Sequence, residues 1–176
     1  LRGWSPLALK APLAFPVKYF QYNGKIRLFG VTKTGKLYIW NRSGEVQQQW
    51  NFKTQFQHPF AMHFGATDST TYMVSTDTNA RAHFVYLNED TVSRHFQGFT
   101  KEHHFLLADL NRDGAKSLIF AENRKIEGYL PNGTREFTLT LRDTLSFKPQ
   151  IYNLHNRSYI GYVSASKDRI FLIDQS

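Results

Sequence analysis

Apolar and polar positions alternate along this chain in short runs, and the clearest succession lies between Phe105 and Gly133, FLLADLNRDGAKSLIFAENRKIEGYLPNG. An apolar run enters a turn of oxygen-bearing residues at Asp109, Asn111 and Asp113; Gly114 closes that turn, and a second apolar run leaves it. This run passes through Glu122-Asn123 into a third, Lys125 to Leu130, which meets Pro131-Asn132-Gly133. Period-two patterning in Val-, Ile-, Tyr- and Phe-rich runs bounded by turn residues predicts strands. Here it predicts three in antiparallel succession, with a fourth after Gly133.

The same unit recurs. Third strands and their turns align as LYIW before Asn41-Arg42-Ser43-Gly44, FVYL before Asn88-Glu89-Asp90, IEGYL before Pro131-Asn132-Gly133, and IFLI before Asp174-Gln175-Ser176. Trp40, Leu87, Leu130 and Ile173 are thereby spaced by 47, 43 and 43 residues. First hairpins align too: Val17 to Val31 turning at Asn23-Gly24, Ala61 to Ser75 turning at Thr67 to Ser69, and Gln150 to Val163 turning at His155 to Arg157. Asn23-Gly24 and Asn132-Gly133 are expected to supply positive φ, and Gly35, Gly44 and Gly114 fall in other turns.

A lone meander cannot bury both faces, whereas stacked four-stranded units of this period can; they are the blades of a β-propeller. The expected fold is therefore all-β and β-propeller-type, with about four four-stranded antiparallel blades in one domain, 1–176. The units are roughly 15–58, 59–100, 101–146, and 147–176 with 1–14. Trp4 precedes Trp50 by 46 residues, so residues 1–4 read as the tail of a fourth strand, while the last unit stops after its third. An arc of a larger propeller is expected, associating through open blade edges. The alternative is a closed four-bladed ring in which residues near Arg2 to Trp4 pair with Arg169 to Ile173. Ile39, Val85, Ile126 and Phe171 share a place in the repeat and are expected between sheets.

Composition changes little in this picture. A chain of 176 residues that is 41% hydrophobic and 20% charged is too apolar for disorder. No apolar run approaches the roughly 18 residues of a membrane helix. Leu1 is not an initiator methionine, so an upstream piece is expected. The absence of cysteine excludes disulfides and thiolate chemistry. The net charge of +8 comes from dispersed lysines and arginines, which fits a solvated surface better than a nucleic-acid stripe.

Asp109-Leu-Asn111-Arg-Asp113-Gly114 followed by a strand resembles the FG-GAP/VCBS repeat of integrin-like propellers. KLYIWNRSGEV and KIEGYLPNGTREF resemble quinoprotein-like and WD-type blades. The resemblance implies a binding or scaffold module of a periplasmic, cell-envelope or extracellular protein, with a protein or glycan partner. It also implies Ca²⁺ held by Asp109, Asn111, Asp113, Ser117 and the Ala115 carbonyl. Two carboxylates, with Ser where a closing acid belongs, make that a weak site or none. Asp and Asn also serve tight turns by capping their own amides.

Other features carry less chemistry. Gly30 to Lys36 matches phosphate-loop spacing, but Leu37 opens a strand pattern where a helix is required. His103 and His104 are adjacent and would point to opposite faces of a strand; His58, His63, His83, His95 and His155 share no ligand spacing. Trp4, Trp40 and Trp50 fit packing between blades, or a rim for sugars or peptides. Sequons stand at Asn41, Asn132 and Asn156. The leading expectation is a non-enzymatic binding module. A propeller hydrolase or lyase with an axial His/Asp site and a polyanion-binding module are the alternatives.

Overall fold

The computed structural model describes residues 7–155, 157–166 and 168–174. Trp4, the segment Arg2 to Trp4, Asn156 and Gln175-Ser176 lie outside them. The chain divides into two compact units, Leu1–Pro59 and Phe60–Ser176.

The first unit holds one antiparallel sheet of four strands in chain order, β1 (Lys18–Tyr22), β2 (Lys25–Val31), β3 (Lys36–Asn41) and β4 (Val46–Asn51). The second holds three sheets. β5 (Ala61–His63), β6 (Tyr72–Thr76), β7 (Arg81–Tyr86) and β8 (Thr91–His95) form one; β9 (His104–Ala108), β10 (Ser117–Glu122), β11 (Lys125–Tyr129) and β12 (Arg135–Thr140) form the next. The last comprises β13 (Gln150–Leu154), β14 (Arg157–Val163) and β15 (Ile170–Ile173) among the described residues. Every sheet is an up-and-down meander, and below its strands are called a to d in chain order.

Period two sorts the core of the second unit. On β10, Leu118 and Phe120 join Phe105, Tyr72, Val74 and Phe84 in one cluster, while Ile119 and Ala121 join Ala108, Leu110, Ile126 and Ile160 in another. One strand thus serves two cores, which is why all six of its residues are buried. Ile39, Val85 and Ile126 are fully buried. Phe171 is a correction: it is only half-buried, stacked on Tyr162 at 4.8 Å in the three-stranded sheet.

Turn chemistry is local. Asn23 and Gly24 both take positive φ, 49° and 71°, as a two-residue hairpin requires. At 132–133 only Gly133 does so, and Asn132 instead accepts the Thr134 N–H at 2.9 Å. Gly128 is needed for space, because a Cβ there would collide with the Phe137 ring opposite it on β12. The phosphate-loop spacing at Gly30 to Lys36 is the b–c turn between β2 and β3, with Leu37 in the ladder opposite Trp50.

Candidate functional site

The Asp109 turn is the a–b connection of the third sheet. Asp109 Oδ2 accepts the Gly114 N–H at 3.0 Å, Asn111 Oδ1 the Asp113 N–H at 3.3 Å, and Asp113 Oδ1 the Ala115 N–H at 2.7 Å. Asn111 Nδ2 donates to Asp113 Oδ2 at 2.8 Å. The three side chains are brought into one turn, where they cap backbone donors in the manner of Asx turns. Ser117 lies beyond it in the ladder, opposite Ala108. Asp109 Oδ1 is buried without a hydrogen-bond partner among the described residues. Arg112, at φ 62°, reaches the Arg157 carbonyl at 3.4 Å.

The opposite end of the second sheet carries a constellation that sequence reasoning missed. Asp77 opens the b–c turn, its Oδ1 accepting the amides of Asn79 at 2.9 Å and Arg81 at 3.1 Å. Its Oδ2 meets His83 Nε2 at 2.9 Å, and His83 Nδ1 meets Ser93 Oγ at 2.8 Å. His83 and Ser93 are register partners on β7 and β8. Burial alone would raise the Asp77 carboxyl, but the His83 bond and the two amides outweigh it and hold it below its usual value. Nearby, His103 is 1% exposed, with Nδ1 against the Thr100 carbonyl at 2.6 Å and Nε2 against Thr76 Oγ1 at 2.9 Å.

Hydroxyl, imidazole and carboxylate stand here in the order of a nucleophilic relay. Their setting is that of a structural pin. Ser93 sits mid-strand, and Asp77 is spent on the turn it opens. Thr32, Asp77, Glu122 and Ser164, at or beside the end of each b strand, are all buried polar residues. They recur at 45, 45 and 42 residues, a repeat that could have been read from the sequence. Thr32 and Ser164, like Asp77, tie the b–c turn beside them, Thr32 Oγ1 accepting the Lys36 N–H at 3.0 Å and Ser164 Oγ donating to Asp168 Oδ1 at 2.9 Å, whereas Glu122 ties the preceding d–a loop, accepting the N–H and O–H of Thr100 at 2.7 and 2.6 Å.

The two ends of the sheets therefore differ. At the b–c end, d–a loops and b–c turns are bonded together, as by Leu141 N–H to Arg124 O at 2.7 Å and Leu145 N–H to Asn123 O at 2.8 Å. At the a–b and c–d end, turns are capped mostly from within, as by Asn41 on the amides of Ser43 and Glu45, and their tips are exposed.

Along β8, β11 and β12 runs an open cleft of about 710 Å³. Arg94, Lys125 and Arg135 line it, with Glu127 at its floor. Glu127 is 4% exposed and takes the Tyr129 O–H at 2.5 Å, Arg135 Nη1 at 3.4 Å and Lys125 Nζ at 3.5 Å. Burial, and then Glu127, pushes the Tyr129 hydroxyl up to about 12. These cations are far apart in sequence, which is why charge counting there showed no cluster. Among the described residues no group of three or more His, Asp or Glu is placed to hold a metal ion.

No family model matches the chain, and no curated protein matches it. Solved structures do. BBS1N in complex with ARL6DN, soaked with mercury, superposes with a TM-score of 0.66 at 12% identity, covering 91% of this chain and 51% of that one. The lead-soaked form gives 0.62 at 14%, covering 91% and 48%. BamB from Moraxella catarrhalis gives 0.53 at 13%, covering 88% and 51%. The fold is that of a β-propeller. The chain spans about half the length of these propeller structures. Among the described residues no helix is long and apolar enough to cross a membrane.

Proposed function

We propose that this chain is a non-enzymatic binding or scaffold module of a larger envelope or extracellular protein, with FG-GAP/VCBS-like blades. It recognises a protein or glycan partner through the a–b and c–d turns of its sheets. The observation that carries the reading is the difference between sheet ends: one is knitted by its own polar groups, and the other presents self-capped, exposed turns. Such turns can vary in sequence without loosening the frame. The BBS1N likeness supports a protein partner, since that domain was solved in complex with ARL6DN. The envelope setting rests on the sequence resemblance.

The rival reading is a hydrolase working through Ser93, His83 and Asp77. A fluorophosphonate probe followed by intact-mass measurement separates the two. The binding module stays unlabelled at Ser93, as does its His83→Ala variant; stoichiometric labelling of Ser93 that vanishes in His83→Ala would establish the hydrolase instead.

The Asp109 turn belongs to the same proposal as a weak Ca²⁺ site, supported by the unpartnered Asp109 Oδ1 beside Asn111 and Asp113. Two carboxylates predict a dissociation constant of about a millimolar. Calorimetry should show that binding, and Asp113→Ala should abolish it; tight binding that survives the substitution refutes the ligand set.

A further inference from the structure

We infer that the cleft along β8, β11 and β12 is a receptor for a phosphate monoester. Three cations, Arg94, Lys125 and Arg135, line it against a single carboxylate, Glu127. That carboxylate cannot serve them all. It already receives Tyr129, Arg135, Lys125 and the Thr138 hydroxyl, the last at 3.4 Å, from a buried position. Arg94 is left over: its Nε is buried without a hydrogen-bond partner, and among the described residues it has no ion pair. A guanidinium that lines a cleft without a carboxylate partner is open to an incoming oxyanion.

Two of the cations are also held by contacts beyond Glu127. Lys125 Nζ stands 4.3 Å over the Phe99 ring and 3.4 Å from the Gly98 carbonyl, which fixes the ammonium at one wall. The Arg94 stem packs on the c–d turn at the other, its Cδ 3.9 Å from where a Gly133 Cβ would stand. Three cations and one carboxylate leave a surplus of two positive charges. A phosphate monoester carries about −1.5 to −2 near neutrality and matches that surplus, whereas a carboxylate neutralises half of it. Arginine's planar fork suits three-oxygen acceptors, with lysine as a point charge beside it. The volume of about 710 Å³ takes the phosphate and the organic group that bears it.

This inference stands apart from the turn-end reading, since the cleft lies along the strands. Its chemistry is common to a small organic phosphate and to a phosphoserine on a protein. The test is an amide-resolved NMR titration of the folded chain with phenyl phosphate at low salt, repeated with benzoate and with a phosphoserine peptide. Saturable shifts are expected at residues 94, 125, 133 and 135, with benzoate about tenfold weaker. Arg94→Gln should weaken phenyl phosphate by about tenfold or more at an unchanged thermal midpoint. Lys33→Gln, an equal charge change outside the cleft, should leave it unaltered. Glu127→Gln should tighten binding by removing the competing charge. Tighter binding of the peptide than of phenyl phosphate assigns the phosphate to a protein, and the reverse order assigns it to a small molecule. No saturable shift with either phosphate, equal titrations in Arg94→Gln and the parent, or benzoate binding as tightly would overturn the inference.

Discussion

An imidazole buried against two threonines must stay neutral, and His103 is such a group. Burial lowers its proton affinity; the Thr100 carbonyl and the Glu122 and Asp77 charges oppose this without cancelling it. The unfolded chain takes up the proton near pH 6.5, the folded chain only at lower pH. The contribution is therefore complete above about pH 6.5 and declines as pH falls below it, by at most about 1.4 kcal/mol per pH unit. Urea melts between pH 7.5 and 5 should show a shallower decline for His103→Gln than for the parent. At pH 7.5 the variant should be less stable by about 1–3 kcal/mol, from the weakened bonds to Thr76 and Thr100. Parallel pH profiles would remove His103 from this role. At this scale the sequence was only partly legible. Adjacency suggested that His103 and His104 point to opposite faces of one strand, but β9 begins at His104 and His103 closes the turn before it; the value of a histidine depends on what burial brings to it, and Thr76 is 27 residues away.

At the scale of elements the hairpins were legible, because turn residues and period two act within a few positions. Strand ends were set by the turns: β14 starts at Arg157, the last residue of the turn expected at His155 to Arg157, and β5 is only three residues long before its irregular turn. The pins at Thr32, Asp77, Glu122 and Ser164 escaped notice because the polar residue at that place changes from sheet to sheet. The cleft escaped for a different reason: its walls come from separate sheets, and no local pattern announces such an approach. Among the described residues β15 is an edge strand, with Ile170 74% and Leu172 48% exposed, and an edge of this kind is a template for another strand. The chain is expected to self-associate through it. Sedimentation equilibrium should show mass above 20.5 kDa at high micromolar concentration, reverting toward monomer in Ile170→Lys; a clean monomer for the parent contradicts this.

For the molecule as a whole, the account is that a repeated frame consumes its polar chemistry at the b–c turns and offers the a–b and c–d turns to a partner. The frame was foreseeable from a period of 43 to 47 residues, since each meander needs a neighbour to cover its faces. The partner was not, because the exposed turns proposed to recognise it have a composition that any hairpin would tolerate. Site-specific photo-crosslinking in the native host tests this division most directly, with a benzophenone side chain placed singly at Ser43 or Asp90 on c–d turns, and at Lys33 or Asn79 on b–c turns. A discrete adduct is expected from Ser43 or Asp90 and none from Lys33 or Asn79. Adducts confined to Lys33 or Asn79 would contradict it.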